Sequence, residues 1–313
     1  MVSVLIITWK RAALLQKCLA SLAPWAREAD LQVVVVLNGD DAETRSLLES
    51  YGQSWLEWQE IPATTPGAAR NAGLARLRGE WCFFIDDDAR VPPDYLWHRR
   101  RTLEEVPQVD VFGGPDGPDP DDAPLARALA LALASPFCSG PTAGRHCPRG
   151  EGPREADETT LTSCNLWVRT KWLRSHSFPV APRRGEETVL LKELNAAGAR
   201  LCYVPGLRVW PARRDRWSEI GRTSFWSGHW RSRHGGGPWF LLPALFVPAH
   251  ALALTGAGQV LAFAGVAVVA VWFADTCLRE RRWDLWARMV ALHWFVPFTY
   301  GLGRWHGMMR WNR

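Results

Sequence analysis

The sequence predicts an α/β domain with a mainly parallel sheet, followed by a helical region of different composition. In the first two hundred residues, short apolar runs alternate with segments of helical periodicity, a pattern typical of parallel strands joined by helices. In the last third, residues 235–274 contain no Asp, Glu, Lys or Arg. The chain has 313 residues, 47% of them hydrophobic, which excludes a disordered chain and suffices for one large domain and a smaller one.

The strands are predicted at continuous apolar runs. Val2–Thr8 and Leu31–Leu37 have the length and the β-branched residues of strands that are buried on both faces of a parallel sheet. Trp81–Ile85 and Val111–Pro115 are shorter runs that end in turn or acidic residues. Because a helical pattern separates the first two runs, the chain begins with a βαβ unit.

The helices are predicted where apolar residues recur every three or four positions. Leu14–Leu22 carries such a stripe between the first two strands, and Ala42–Ser50 follows the second strand. Ala68–Leu77 is preceded by Pro-Gly and followed by Gly, which are helix start and stop signals. Ala123–Ala134 is a further helix, rich in Ala and Leu.

Polar residues follow the predicted strands where they end. Asp86, Asp87 and Asp88 come directly after the third strand, and the first two strands end in Thr8–Lys10 and Asn38–Asp41. Ligands of such sheets bind beyond the carboxyl ends of the strands. Because like charges repel, three adjacent carboxylates suit a divalent cation such as Mg²⁺ or Mn²⁺. The alternative is a solvated acidic turn.

Three runs carry a resemblance to a known family. VSVLIITWKRAALLQKCLASL, VVVVLNGDD and PGAARNAGLARLRGEWCFFIDDDARVPPDYL occur in this order, and together they resemble inverting glycosyltransferases of family 2. The last run is the most specific, because it combines an R-N-x-G helix, a strand, an Asp triplet and Pro-Pro-x-x-Leu. The resemblance covers about residues 1–230 and implies the GT-A fold, a Rossmann-like sheet that binds a nucleotide sugar.

The resemblance also implies a donor site. Thr8 and Trp9 match residues that contact the nucleotide base and ribose. Asn38 matches a second loop at the base, in which Leu37 stands where the family usually has Asp. Arg70 and Asn71 match the R-N pair that lies under the nucleotide, and Asp86, Asp87 and Asp88 match the Asp motif. In the family, the outer two aspartates contact the ribose or the metal ion that bridges the diphosphate.

A general base is implied by a later segment. Gly185, Glu186 and Glu187 occupy the family's G-E-D positions, and the third of these deprotonates the acceptor hydroxyl. We therefore expect Glu187 to be the base, with Glu186 able to exchange roles with it. The alternative is that both glutamates only stabilise a helix N-terminus. The His that ligates the metal in many relatives is absent, and Trp210 and Pro211 stand in that neighbourhood.

The last third of the chain predicts contact with a membrane. It holds eleven of the 19 Trp, with 14 Arg and no Lys against five acidic residues. We predict a domain at 1–234, then a membrane region at 235–313 made of a hairpin at 239–274 and an interfacial helix at 284–303. A third crossing by the last helix, or a hairpin buried in a soluble domain, are the alternatives. Nucleic acid is not expected, because these Arg residues border apolar segments.

Together these features predict a metal-dependent inverting glycosyltransferase at the cytoplasmic face of a membrane, most simply the bacterial inner membrane. It would move a sugar from a nucleoside diphosphate sugar to a hydroxyl of a lipid-linked or cell-surface glycan acceptor. The alternatives are a nucleotidyltransferase acting on sugar phosphates and a catalytically silent membrane scaffold with the same fold.

Overall fold

The protein is described here by a computed structural model. The described residues are 1–28, 30–146, 150, 152–181, 185–233, 259, 265–267, 269–271, 273–274, 276–278 and 281–309. The chain divides into two compact units. The sheet unit comprises Met1–Gly117 and Cys147–Ala212, and the helical unit comprises Pro118–His146 and Arg213–Arg313. The predicted boundary after residue 234 lies outside the described residues and stays a prediction.

Ten strands are found among the described residues. They are β1 (Val2–Thr8), β2 (Leu31–Asn38), β3 (Leu56–Ile61), β4 (Trp81–Ile85), β5 (Ala89–Arg90), β6 (Val111–Gly113), β7 (Arg154–Glu155), β8 (Asn165–Arg169), β9 (Leu201–Tyr203) and β10 (Trp210–Pro211). Eight of them form one sheet in the order β3-β2-β1-β4-β8-β6-β9-β7, and β5 pairs with β10 in a separate ribbon.

The large sheet is mostly parallel, as predicted. β1 pairs in parallel with both β2 and β4, and β2 with β3. β8 runs antiparallel to β4 and β6, and β7 antiparallel to β9. Strand β3 was not predicted, because LEWQEI is polar; in the order of the described strands it lies at the edge beside β2, and such a position tolerates charge. The α/β class is thus confirmed.

The central strands are buried on both faces, which explains their continuous apolar sequences. In β2, Val33 and Val35 belong to one core cluster, whereas Val34 and Val36 belong to the other. Successive side chains of a strand point to opposite faces, so each face of the sheet has its own core. Burying a Val or Leu side chain contributes on the order of 1.5–3 kcal/mol relative to exposure, and these runs therefore hold the site's framework rigid.

The α-helices of the described residues are numbered in the order in which they occur along the chain. They are α1 (Ala12–Leu22), α2 (Trp25–Glu28), α3 (Ala42–Ser50), α4 (Pro66–Leu74), α5 (Tyr95–Glu105), α6 (Pro124–Leu133), α7 (Pro136–Ser139), α8 (Thr170–Leu173), α9 (Glu186–Ala196), α10 (Trp217–Arg233) and α11 (Trp286–Met309). Short 3₁₀ helices occur at Gly140–His146 and Trp283–Leu285. The four helices predicted from periodicity are all present, with ends that differ by a few residues.

The helical unit contains a close pair of helices, α10 and α11. Small residues permit the approach: a Cβ added to Gly303 would lie 1.8 Å from the carbonyl oxygen of Phe225, and one added to Gly228 would lie 2.0 Å from that of Tyr300. Any side chain at these positions would therefore force the helices apart.

Only part of the predicted membrane region lies among the described residues. None of the described helices combines the length and the apolarity that crossing a bilayer requires. This includes α11, which covers the predicted interfacial helix at 284–303 and was the alternative third crossing. The predicted hairpin at 239–274 lies almost entirely outside the described residues.

Candidate active site at the carboxyl ends of the strands

The predicted site residues at the ends of β1 and β4 meet at one edge of the sheet. Since β1 and β4 are parallel neighbours, their carboxyl ends lie side by side. The hydroxyl of Thr8 donates a hydrogen bond to Oδ2 of Asp87 at 2.7 Å. This contact joins the end of β1 to the Asp triplet.

The middle aspartate of the triplet is held by a residue that the sequence reasoning missed. Nη1 of Arg11 lies 2.9 Å from Oδ1 of Asp87 and 2.9 Å from Oδ2 of Asp88. Burial raises the pKa of Asp87, and the charge of Arg11 and the hydrogen bond from Thr8 act against that rise. The contacts of Asp87 with Thr8 and Arg11 thus fix the loop, and Asp88 pairs with the same guanidinium of Arg11.

Arg70 joins the Asp triplet to the start of α9. Its guanidinium is buried and pairs with Glu186 through Nη1. Nη2 lies 3.3 Å from Oδ1 of Asp86 and donates to the hydroxyl of Ser163 at 3.1 Å. The same group lies over the ring of Phe178, 5.3 Å from its centroid. Residues that are 116 positions apart are therefore tied together by one side chain.

Asp86 lies among other carboxylates. One part of its side chain reaches solvent, but the dense surrounding protein raises its pKa to about 6. The main cause is burial; the charge of Arg70 opposes it, and the charges of Asp88 and Glu187 add to it. The structure thus brings Asp86, Asp88 and Glu187 close enough to interact electrostatically, which the order of motifs in the sequence only implied.

The two glutamates at the start of α9 differ in their surroundings. Both are buried, and the helix begins after Gly185, whose φ of 81° suits glycine. Burial raises the pKa of Glu186, Arg70 opposes the rise, and the neighbouring Glu187 adds to it. The ion pair with Arg70 holds the carboxylate of Glu186 in place, and the assignment of Glu187 as the base stays a prediction.

The helix that carries Arg70 is docked by its own motif. A Cβ on Gly67 would lie 2.2 Å from the carbonyl oxygen of Pro179, so only glycine allows α4 to approach this segment. Asn71 donates to the carbonyl of Phe178 at 2.7 Å and accepts from its N–H at 2.9 Å. In the described contacts Asn71 therefore anchors the segment before α9, and its predicted place beneath a nucleotide stays a prediction.

The loops after β1 and β2 provide the remaining predicted residues. The ring of Trp9 is 50% exposed, and Gly39 leaves room for it, because a Cβ there would lie 3.3 Å from its Nε1. Asn38 donates to the carbonyl of Thr64 at 3.2 Å and accepts from its N–H at 2.9 Å. Asn38 thus ties two loops together, while Trp9 offers an open aromatic face.

The ribbon of β5 and β10 closes the other end of the Asp loop. Trp210 pairs with Arg90 in the ribbon, and the guanidinium of Arg90 lies 5.8 Å from the ring centroid of Trp210. The carbonyl of Asp88 accepts from the N–H of Ala212 at 2.7 Å. The segment that lacks the family's usual His is therefore adjacent to the Asp triplet.

No group of three or more metal-ligating side chains is found in the part of the chain that the structure describes.

The two residues missed by sequence reasoning, Arg11 and Ser163, both contact groups of the site. Only Arg11 had a signal, since a basic residue just after the first strand is positioned to meet acidic residues after its neighbour.

Comparisons with known proteins decide the family. The model of Glycosyl transferase family 2 matches residues 3–172, more than half of the chain. The chain belongs to glycosyl transferase family 2. A curated relative, "Putative glycosyltransferase EpsH" of Bacillus subtilis (strain 168), is 28% identical over 103 residues, which cover 32% of this chain and 30% of EpsH. The match thus spans less than a third of that relative's length.

Solved structures share the fold. The structure of S. aureus TarS 1-349 in complex with UDP-GlcNAc has a TM-score of 0.51 at 17% identity, covering 71% of this chain and 65% of that one. Mannosyltransferase PcManGT from Pyrobaculum calidifontis, in complex with GDP-Man and Mn²⁺, has a TM-score of 0.53 at 19% identity, covering 93% and 85%. These likenesses support the GT-A arrangement of the sheet.

Proposed function

We propose that this chain transfers a sugar from a nucleoside diphosphate sugar to an acceptor hydroxyl, with inversion at the anomeric carbon. The observation that carries the proposal is the link through Arg70, which brings the Asp triplet and the start of α9 into one site. An in-line displacement needs a leaving diphosphate on one side of the sugar and a base on the other. Asp86 with Asp88 and Glu187 supply these two functions.

The donor base is proposed to lie on Trp9. An aromatic ring that is half exposed beside the carboxyl ends of the strands can stack on a base. The proteins of similar fold bind UDP-GlcNAc and GDP-Man, so both donors belong in a first screen. Leu37 is buried at the end of β2 and lacks a hydrogen-bonding group, which leaves base choice to other contacts.

A divalent cation fits the carboxylates of the site. The raised pKa of Asp86 reflects burial and repulsion from Asp88 and Glu187, both of which a nearby cation would offset. Mg²⁺ is often bound by one or two carboxylates together with substrate phosphates, so Asp86 and Asp88 suffice as protein ligands. When bound, the ion would neutralise charge that develops on the departing diphosphate.

Glu187 is proposed to accept the proton of the acceptor hydroxyl at its carboxylate. Glu186 is fixed by Arg70 and in turn limits the positions that its neighbour can take at the first turn of α9. A positioned base of this kind contributes about 10²–10⁴ to the rate. Arg70 positions the first turn of α9 and Asp86 together, because its two nitrogens contact Glu186 and Asp86.

The acceptor is proposed to be lipid-linked or a surface glycan, and the enzyme to work at the cytoplasmic face of a membrane. Support comes from the sequence of the last third, with its 40 uncharged residues at 235–274, its Arg-rich flanks and its Trp. Membrane attachment can be measured by sedimentation of the full chain with lipid vesicles.

The proposal is tested by a donor screen on the purified full chain. UDP- and GDP-sugars are supplied with Mn²⁺ or Mg²⁺, and released nucleoside diphosphate is measured. We expect release with at least one donor, its loss on chelation of the metal, and its loss in Asp88→Asn. Asp94→Asn, an exposed carboxylate at the start of α5, is the matched control and keeps the wild-type rate.

Three results would contradict the proposal. Equal release by Asp88→Asn and wild type would remove Asp88 from the site. Release of pyrophosphate in place of a nucleoside diphosphate would indicate a nucleotidyltransferase. Binding of nucleotide sugars without turnover, with any acceptor extract, would indicate a silent scaffold.

A further inference from the structure

A second group of polar residues lies in the contact between α10 and α11, within the helical unit. A Cβ on Gly228 would lie 2.0 Å from the carbonyl oxygen of Tyr300 and 3.1 Å from the backbone nitrogen of Arg304. A Cβ on Gly307 would lie 1.9 Å from the hydroxyl of Ser232. The end of α10 thus packs directly on the stretch of α11 that contains Tyr300 and Arg304.

Arg304 is buried in this contact, and two of its hydrogen-bond donors lack partners among the described residues. The residue is 4% exposed, and among the described residues neither its Nε nor its Nη1 has a hydrogen-bond partner. The hydroxyl of Tyr300, one turn earlier on α11, is buried next to it, and the two side chains interact. Two donor nitrogens of one buried guanidinium therefore lack partners in the described part of the chain, next to a buried hydroxyl.

A second positive charge faces the same place. Burial raises the pKa of Tyr300, and the charges of Arg231 and Arg304 act against that rise. Arg231 lies near the end of α10 and Arg304 on α11, so the phenol is approached by positive charge from both helices. A buried guanidinium with two unpartnered donors is costly for the fold alone, and Arg231 adds positive charge at its edge.

Such a cost is not needed for packing. An uncharged side chain of similar length would fill the space between the helices, and replacing buried charge by apolar residues is often neutral or stabilising. Buried polar groups without partners call for an explanation, and a binding role is one. The guanidinium fork, a phenol donor and a second cation match a tetrahedral oxoanion with two negative charges.

We propose that Arg304, Tyr300 and Arg231 form a binding site for a phosphate group. Nε and Nη1 of Arg304 would donate to two phosphate oxygens, the Tyr300 hydroxyl to a third, and Arg231 would add charge. The phosphate comes either from a soluble anion or from a lipid headgroup. The site uses none of the residues of the proposed donor site, so the two proposals stand or fall separately.

The first arm of the test uses inorganic phosphate. Thermal unfolding of the full chain is followed against phosphate concentration at constant ionic strength, in an Asp88→Asn background that weakens binding at the diphosphate site. We expect phosphate to raise the Tm. Without phosphate, adding Arg304→Met to this Asp88→Asn parent should raise the Tm, because a buried guanidinium with unpartnered donors is removed. With phosphate, the Tm of the Arg304→Met variant should no longer rise. Arg222→Met, an exposed arginine of α10, is the control and responds fully.

Tyr300→Phe provides a milder variant, because it removes one hydroxyl and leaves the packing. We expect it to keep the parent's Tm and to need roughly tenfold more phosphate for the same response. This variant keeps the test decisive if Arg304→Met fails to fold.

The second arm distinguishes the two sources of phosphate. Sedimentation is measured with vesicles of phosphatidylcholine that contain or lack phosphatidic acid. Binding that requires both phosphatidic acid and Arg304 identifies a lipid headgroup, whereas a phosphate response without such binding identifies a soluble anion. The proposal is overturned if the parent shows neither, or if Arg304→Met and Tyr300→Phe respond to phosphate as the parent does.

Discussion

The sheet unit and the helical unit both bury an arginine, but they treat its charge differently. In the sheet unit, the guanidinium of Arg70 contacts Glu186, Asp86 and Ser163. In the helical unit, Arg304 is buried as deeply, and its Nε and Nη1 lack partners among the described residues. A buried charge that is paired within the protein holds a site in shape before any ligand arrives. A buried guanidinium with unpartnered donors can still donate hydrogen bonds to a ligand.

The largest effect is expected at Glu187, the proposed general base. Glu187→Gln should lower nucleoside diphosphate release by about 10²–10⁴ with little change in Tm, because a general base is lost while its size is kept. Steady-state release and thermal unfolding measure the two quantities. Glu193→Gln, the same change at an exposed position of α9, should leave both unchanged.

Glu186→Gln sharpens that result. It removes the charge that Arg70 pairs with, so it should lower the Tm as well as the rate. If Glu186→Gln abolished release and Glu187→Gln did not, the roles of the two glutamates would be exchanged.

The next effect concerns the stability of the paired charges. Arg70→Met should lower the free energy of unfolding by about 3–5 kcal/mol, because Glu186 would be left buried without its partner. Denaturant unfolding measures the loss, and Arg76→Met, an exposed arginine that donates to Gln59, is the control. Adding Glu186→Leu to Arg70→Met should restore part of the loss. A variant as stable as wild type would show that the ion pair does not hold the site.

A packing prediction addresses the helical unit. Gly303→Ala should cost about 1–3 kcal/mol, because its Cβ would lie 1.8 Å from the carbonyl oxygen of Phe225 and must push the helices apart. Gly265→Ala is the matched control in the same unit, since nothing lies within 4 Å of a Cβ there. Equal stability of the two variants would contradict the close contact on which the Arg304 site depends.

The smallest effect is expected at Arg11, whose side chain is 39% exposed. Arg11→Gln should lower the free energy of unfolding by less than about 1 kcal/mol, because solvent screens its ion pairs. It should raise the affinity for Mn²⁺ in the absence of nucleotide by about tenfold, since a positive charge beside Asp88 is removed. Titration of Mn²⁺ by calorimetry checks this, and weaker binding by the variant would show that Arg11 instead organises the carboxylates for the ion.

Much of the sheet unit could be predicted from the sequence. Apolar runs such as Val2–Thr8 are buried on both faces, so their hydrophobicity alone marks them as strands. The Asp triplet was expected at the carboxyl edge of the sheet because it directly follows a strand, whereas the glutamates at the start of α9 were assigned to the site only by the family resemblance. Strand β3 escaped prediction because LEWQEI is an edge strand with a polar sequence, for which neither periodicity nor composition provides a signal.

The pairing of the charged groups was decided by the tertiary structure. Nothing in the sequence indicates that Arg70 contacts Glu186 or that Asn71 holds Phe178, because these partners are far apart along the chain. Local sequence determines which segments become strands and helices through burial and backbone preference. Which charges meet depends on where those segments are brought in space, and that is also where the difference between Arg70 and Arg304 arises.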